Sequence, residues 1–180
     1  MTDVVRSMTA EEYFELPETN QIVELIDGEY IVSPTPRVSH QRTVIKGVTF
    51  LTQSAAHGET MTAPSAIRFE ADHVLEPDIF WIRPDGDCKP IKDRYWEGAP
   101  DLVVEVLSPS TAKRDRGVKF EVYERHGVRE YWLIDLEAQF VEVYRHENGA
   151  FKRLGIYGIE ATFTSTVLGI DVKVESILTV

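Results

Sequence analysis

Asp101-Leu-Val-Val-Glu-Val-Leu-Ser-Pro-Ser-Thr111 decides the fold. Its first seven residues are almost unbroken apolar, as a strand covered on both faces must be, and Ser108-Pro109 ends the run. The pattern then predicts a helix over 112–126, stopped by Gly127. A second buried-type strand follows, Glu130-Tyr-Trp-Leu-Ile-Asp135. Strand, helix and strand in that order have the length of a βαβ unit, so the two strands are expected to pair in parallel.

Outward from this unit the punctuation is regular. Thr9-Ala-Glu-Glu12 has the capping-box pattern of a short helix reaching about Leu16. Ile22-Val-Glu-Leu-Ile26 and Glu29-Tyr-Ile-Val-Ser33 flank Asp27-Gly28, a hairpin signal. Ser39 is expected to cap a second helix with Val44, Val48, Leu51 and Ala55 on its inward face, ending at Gly58. Strands are expected over 61–71 and 74–82, then an exposed loop over 84–90. Another hairpin is expected around Asn148-Gly149, between strands at 141–144 and 151–157. The last twenty residues show no clear pattern. No repeat or linker interrupts the chain, so one domain over 1–180 is expected, of α/β class: a mixed β-sheet flanked by helices, with β-hairpins.

Composition narrows the function. The chain is 43% apolar and 27% charged, which excludes a disordered chain, and no apolar run approaches the roughly 20 residues that span a bilayer. The amino end reads as neither a secretory nor an import signal, so a cytoplasmic protein without a membrane partner is expected. A single cysteine, Cys88, excludes an internal disulfide and any zinc site built from two cysteines of this chain. The net charge of −11 is uneven. Residues 1–30 hold eight acids against one base, −7 of the total. Residues 110–119 are locally basic, and Lys113, Arg114 and Arg116 there are candidate phosphate contacts.

Common catalytic motifs are absent: no GxGxxG, P-loop, HExxH or GxSxG. What stands out is acids inside apolar strands, namely Glu24, Asp78 and Glu105. An unpaired buried carboxylate costs several kcal/mol, so each needs compensation, by water at a strand end, by an arginine, or by a partner of another kind. Lys119 shares the inward face of the 112–126 helix with Val118, Val122 and Tyr123, where it either bends outward or meets an anion. If two carboxylates converge there, their repulsion is about 4 kcal/mol at 4 Å and an effective dielectric of 20. A divalent cation would relieve it, and hard oxygen ligands favour Mg²⁺ or Mn²⁺. Such an ion beside a lysine suits phosphodiester hydrolysis.

Pro77-Asp78, Glu105 and Lys119 together resemble the PD-(D/E)xK motif of the restriction-endonuclease-like superfamily. Glu24-Leu-Ile-Asp-Gly-Glu29, Ser33-Pro34, His40-Gln41, Glu76-Pro-Asp78, the 101–111 stretch and Gly127-Val-Arg-Glu-Tyr-Trp132 resemble the Uma-two family of predicted endonucleases. The resemblance implies a restriction-endonuclease-like fold and a Mg²⁺- or Mn²⁺-dependent endonuclease acting on DNA, with two copies pairing as a homodimer. It implies metal binding by Asp78, Glu105 and the Val106 carbonyl, Lys119 serving the attacking water, and Glu24 as a supporting acid, with His40 and Gln41 at the edge. One departure matters: the superfamily's lysine stands two residues after the acid, where this chain has Leu107. The alternatives are a non-catalytic nucleic-acid-binding or assembly module on the same fold, and hydrolysis of another phosphoester. With Lys119 read as a costly buried charge, Lys119→Met is expected to fold as well as the parent, or better, yet to lose activity.

Overall fold

The computed structural model describes residues 7–178; Asp3 and Arg6 of the acidic amino-terminal stretch lie outside them, as do the other residues of 1–6 and residues 179–180 of the expected domain. Thr9 caps α1 (Ala10–Glu15) in the expected reciprocal box, its hydroxyl accepting the Glu12 N–H while Glu12 accepts the Thr9 N–H. β1 (Val23–Ile26) and β2 (Glu29–Val32) form the expected hairpin. Asp27 and Gly28 both take positive φ, 52° and 74°, as a two-residue primed turn requires. α2 (Val38–Ser54) starts one residue before the expected cap: Arg37 is its N-cap and Ser39 sits inside the first turn. Val44, Leu51 and Ala55 of its predicted inward row are buried, with Val48 packed against them.

The two long strands expected over 61–82 are four short ones: β3 (Glu59–Thr62), β4 (Ile67–Arg68), β5 (Val74–Leu75) and β6 (Ile79–Ile82). Pro64 and Pro77 lack the N–H that a ladder needs, and the Phe69 and Glu70 amides turn back onto the His73 carbonyl. The loop expected over 84–90 is only partly exposed, because Gly86 and Cys88 are buried. It runs into β7 (Lys89–Ile91), which pairs with β8 (Tyr95–Glu97).

β9 (Leu102–Leu107) is the strand predicted from the decisive stretch. The single helix expected after it is two, α3 (Ala112–Asp115) and α4 (Val118–Arg125), broken at Gly117. A Cβ at 117 would stand 2.8 Å from the Lys113 carbonyl oxygen, so the break needs a glycine. β10 (Glu130–Asp135) pairs in parallel with β9 from Glu130↔Leu102 to Asp135↔Leu107, as the βαβ reading expects. β11 (Phe140–Glu147) and β12 (Ala150–Gly158) form the second hairpin around Asn148 and Gly149. The unpatterned end supplies β13 (Thr162–Ser165), β14 (Ile170–Lys173) and a 3₁₀ turn at Val174–Ser176.

The α/β class stands, with the strands divided between two mixed six-stranded sheets and a two-stranded ribbon, β13-β14. One sheet has the order β2-β1-β5-β4-β8-β7, the other β12-β11-β10-β9-β6-β3. The second sheet is buried on both faces. Ile79, Trp81, Leu102, Val104, Val106 and Trp132 pack with α2 and the ribbon. The alternate residues, Phe80, Val103, Tyr131 and Leu133, meet Ile26, Ile67 and Leu75 of the first sheet and Val122 and Tyr123 of α4. Period-two alternation therefore turns Glu105 toward the first sheet and α4, and that is where the candidate site forms. Among the described residues no helix is long and apolar enough to cross a membrane.

Candidate functional site

Four elements deliver charged side chains to one place. β9 contributes Glu105, the residue before β6 contributes Asp78, β1 contributes Glu24, and α4 contributes Lys119. The Lys119 ammonium lies 2.6 Å from Glu105 Oε1, 3.0 Å from Glu24 Oε1 and 3.3 Å from Asp115 Oδ1. All four side chains are almost wholly buried. The lysine of the helical wheel therefore meets anions rather than bending out to solvent.

Asp78 is tied to the same cluster by its backbone and its carboxylate. Its N–H donates to Glu105 Oε2 at 3.2 Å. Its Oδ2 accepts the Val106 N–H at 2.8 Å and touches His40 Nε2 at 3.2 Å. Among the described residues no hydrogen bond reaches Asp78 Oδ1. Tyr123, one turn after Lys119 on α4, donates its hydroxyl to Glu105 Oε1 at 2.8 Å. A pocket of about 290 Å³ opens over these groups, lined by Glu24, Glu76, Asp78, Glu105, Asp115 and Lys119. Its mouth is formed by two proline-containing loops, residues 33–37 and 108–111.

The family model described as "Uma2: Putative restriction endonuclease" matches residues 10–175. The chain belongs to the Uma2 family. A crystal structure of a "putative nuclease belonging to DUF820" from Anabaena variabilis ATCC 29413 superposes with a TM-score of 0.78 at 22% identity, covering 94% of this chain and 97% of that one. That likeness is one of fold. No curated protein matches the chain.

In this Uma2 chain the charges do not balance. Glu24, Glu76, Asp78, Glu105 and Asp115 surround one fully enclosed lysine, with His40 against Asp78 and Arg114 3.9 Å from Glu24 as the further bases, so acids outnumber bases if all are ionised. Burial pushes the Glu105 carboxyl well above its usual range; Lys119 pulls it down, while Asp115, Asp78 and Glu24 add to the rise. Asp115 is raised for the same reason, burial outweighing Lys119 and a hydrogen bond from Thr111. Burial alone would discharge Lys119, but Glu105 and Glu24 hold its ammonium charged well above the ordinary lysine value. Glu76 is pushed up to about 7, mainly by burial and by neighbouring Glu24, against the Val23 N–H that it accepts. Crowded, partly desolvated hard oxygens with one free carboxylate atom are a donor set that fits a divalent cation.

The other expected positions divide. His40 reaches the cluster, and although burial opposes its charge, its bond to Asp78 raises it above the ordinary histidine value. Its Nδ1 is buried without a hydrogen bond. Gln41 is not brought to the acids: it is exposed and borders a neighbouring groove with residues 32–36. Val106 enters through its N–H, which holds Asp78. Arg114 donates to Ser33 Oγ at 2.9 Å and leans toward Glu24, and Arg116 is paired with Glu142 at 2.6 Å, so only Lys113 of the basic trio stands in solvent with no ion pair among the described residues.

Sequence reasoning missed Asp115 and Tyr123 as members of the cluster. Asp115 entered only as an acid diluting a basic run, although its place four residues before Lys119 puts the two on one helical face. Tyr123 counted only as part of the apolar stripe. Among the described residues, three or more acids and histidines bring possible ligand atoms within 4.8 Å of one another at a separate place, Glu70, Asp72 and His73, and not at the acid cluster. There Arg125 and His126 both hold Glu70 Oε1 at 2.8 Å, and Asp72 holds His73 Nδ1 at 2.9 Å.

Proposed function

We propose that this chain is a metal-dependent endonuclease that hydrolyses DNA phosphodiester bonds through Glu24, Asp78, Glu105 and Lys119. The observation that carries the reading is Lys119, buried and within ion-pairing distance of Glu105 and Glu24 beside Asp78. Membership of a family described as "Putative restriction endonuclease" supports the coarser part, a nuclease-like hydrolase.

Asp78 and Glu105 would hold Mg²⁺ or Mn²⁺, with the Val106 carbonyl as a further oxygen. Such an ion lowers the pKa of a bound water and polarises the phosphodiester. Lys119 offers a fixed positive charge where negative charge grows on the phosphoryl oxygens, and N–H donors that orient the attacking water. Glu24 fixes the lysine from the opposing sheet, so the ammonium need not reorganise during the reaction. His40 and the Val106 N–H hold the Asp78 carboxylate in place. Exposed Arg37 at the mouth, and Lys113 in solvent on α3 beyond the 108–111 loop, would meet phosphates of the substrate. A cytoplasmic location, in keeping with one buried cysteine, and pairing of two copies to cut both strands belong to the same reading.

The test is cleavage of plasmid and oligonucleotide DNA with Mg²⁺ or Mn²⁺, wild type beside Glu105→Gln. Loss of roughly 100-fold or more in the variant is expected, with the fold retained. Equal rates in the two proteins, or no cleavage by either over a broad set of substrates, would remove the catalytic claim. The alternative is a non-catalytic module that binds nucleic acid or assembles with a partner; the charge of −11 favours weak or partner-assisted binding, and this reading predicts salt-dependent binding with no product.

A further inference from the structure

At the opposite end of β9 from the acids, arginines gather. Arg83 follows β6, Arg129 precedes β10, and Arg145 lies on β11 across from Glu130. Asp101 precedes β9, four residues and so roughly 13 Å from Glu105 along the strand. These side chains line a pocket of about 290 Å³ with His146 and Thr166. Three guanidinium groups converge there on one lining carboxylate, Asp101, while two acids outside the lining reach the rim, Asp85 at 3.1 Å from Arg83 and Glu147 at 3.7 Å from Arg145.

The acids engage these arginines mostly at Nε and from the rim, the Asp85 side chain being 80% exposed. Asp101 meets Arg129 at 3.1 Å and Arg83 at 3.4 Å, in both cases through Nε, and its other oxygen accepts the Arg83 backbone N–H at 3.0 Å. Among the described residues no hydrogen bond joins the forked Nη ends of these two arginines to Asp101. Glu130 does not serve as the counter-ion, because Trp132 Nε1, Ser165 Oγ, the Thr166 amide and hydroxyl, and the Val167 amide fill its oxygens. Arg145 has only a contact of 3.7 Å with Glu147. The Nε atoms of Arg83 and Arg145 are buried without a hydrogen bond. The side chains nevertheless remain 29–52% exposed, so a ligand can reach them. Rigid forks converging in a concavity, two of them pinned by one buried aspartate, match a tetrahedral oxyanion with several acceptor oxygens.

We propose that this pocket is a phosphoryl-anion site, distinct from the acid cluster at the other end of the sheet. The anion can be a backbone phosphate of nucleic acid, a source that rests on the nuclease reading, or a free phosphate or phosphorylated small molecule, which does not.

Calorimetric titration with sodium phosphate, in EDTA and at constant ionic strength, tests the site without any cleavage. Wild type is expected to bind, and Arg129→Gln/Arg145→Gln to bind at least tenfold more weakly. If the double variant fails to fold by circular dichroism, Arg145→Gln alone decides, since among the described residues Arg145 makes no ion pair with Asp101. No binding by wild type, or equal binding by the folded variant, overturns the proposal. Duplex binding by fluorescence polarisation in EDTA separates the sources. A salt slope smaller by about one to two in the variant, with phosphate competing, identifies the nucleic-acid backbone. Unchanged duplex binding beside weakened phosphate binding identifies a free anion. An inactive enzyme in the cleavage assay would leave the phosphate titration unaffected.

Discussion

Lys119 is held by three carboxylates, and this reverses the expectation drawn from its place on the helical wheel. A buried lysine that merely cost desolvation could be replaced by methionine without loss. Here its removal would leave Glu24, Glu105 and Asp115 facing one another in the protein interior. Lys119→Met is therefore expected to lose about 3–5 kcal/mol at pH 7, because breaking a buried ion cluster strands its other members. The sign of the pH dependence follows from the raised carboxyls of Glu105 and Asp115. A carboxyl whose folded pKa lies above its unfolded value adds stability below the unfolded value and loses it as pH rises through the folded one. The variant's deficit should thus be small near pH 4 and grow toward neutrality. Urea unfolding of both proteins between pH 4 and 8 reads this directly, and a variant as stable as the parent at pH 7 would show that the cluster is already neutralised by protons. The lysine's role was legible because a charge stood on an apolar stripe. Its third partner was not, because Asp115 is polar in a polar run and only the fold reveals its burial.

The break between α3 and α4 decides where that lysine points. A continuous helix over 112–126 satisfies the wheel equally well, so pattern alone could not find the break at Gly117. The constraint is steric and comes from the Lys113 carbonyl one turn back. Gly117→Ala would place a methyl 2.8 Å from that oxygen, and moving the backbone to accept it should cost about 1–3 kcal/mol. Since Lys119 follows by two residues, the displacement passes to its ammonium, and cleavage should fall further than stability does. Thermal melts together with cleavage rates measure the two effects; a full loss of stability with unchanged activity per folded molecule would detach the break from the site. The elements that the sequence did predict share a different property. The 23–32 and 140–158 hairpins and the parallel β9–β10 pair rest on local turn residues and on unbroken apolar runs, signals that survive any tertiary context. The 61–82 region failed because its apolar residues are spread over both sheets, with prolines placing the cuts. Among the expected site residues, Glu24, Asp78, Glu105 and Lys119 converge because each breaks its own element's pattern, whereas Gln41 lies on an exposed helix face where polarity carries no information.

Across the whole molecule, of net charge −11, two charged pockets of opposite character stand at the two ends of one sheet. The acids cluster at the Glu105 end, and the arginine pocket sits beyond Asp101. A polyanion approaching the first end meets an excess of negative charge, and Lys119 cannot offset it because three carboxylates already enclose its ammonium. On the nuclease reading, binding at that end waits on a cation: a divalent ion held by Asp78 and Glu105 would cancel two charges where the phosphate must sit. Repulsion between unit charges at 4 Å is about 4 kcal/mol at an effective dielectric of 20, so removing even a third of such a term is worth roughly tenfold in affinity. Ca²⁺ takes oxygen ligands as Mg²⁺ does but with looser geometry, which allows binding to be followed in place of cleavage. Duplex DNA should accordingly bind at least tenfold more tightly in Ca²⁺ than in EDTA at matched ionic strength, and Glu105→Gln should abolish most of that gain. Polarisation titrations of the two proteins settle the point. An equal gain in the variant would place the cation away from Glu105, and no gain in wild type would mean that protons on the raised carboxyls already serve the purpose that the reading assigns to the metal.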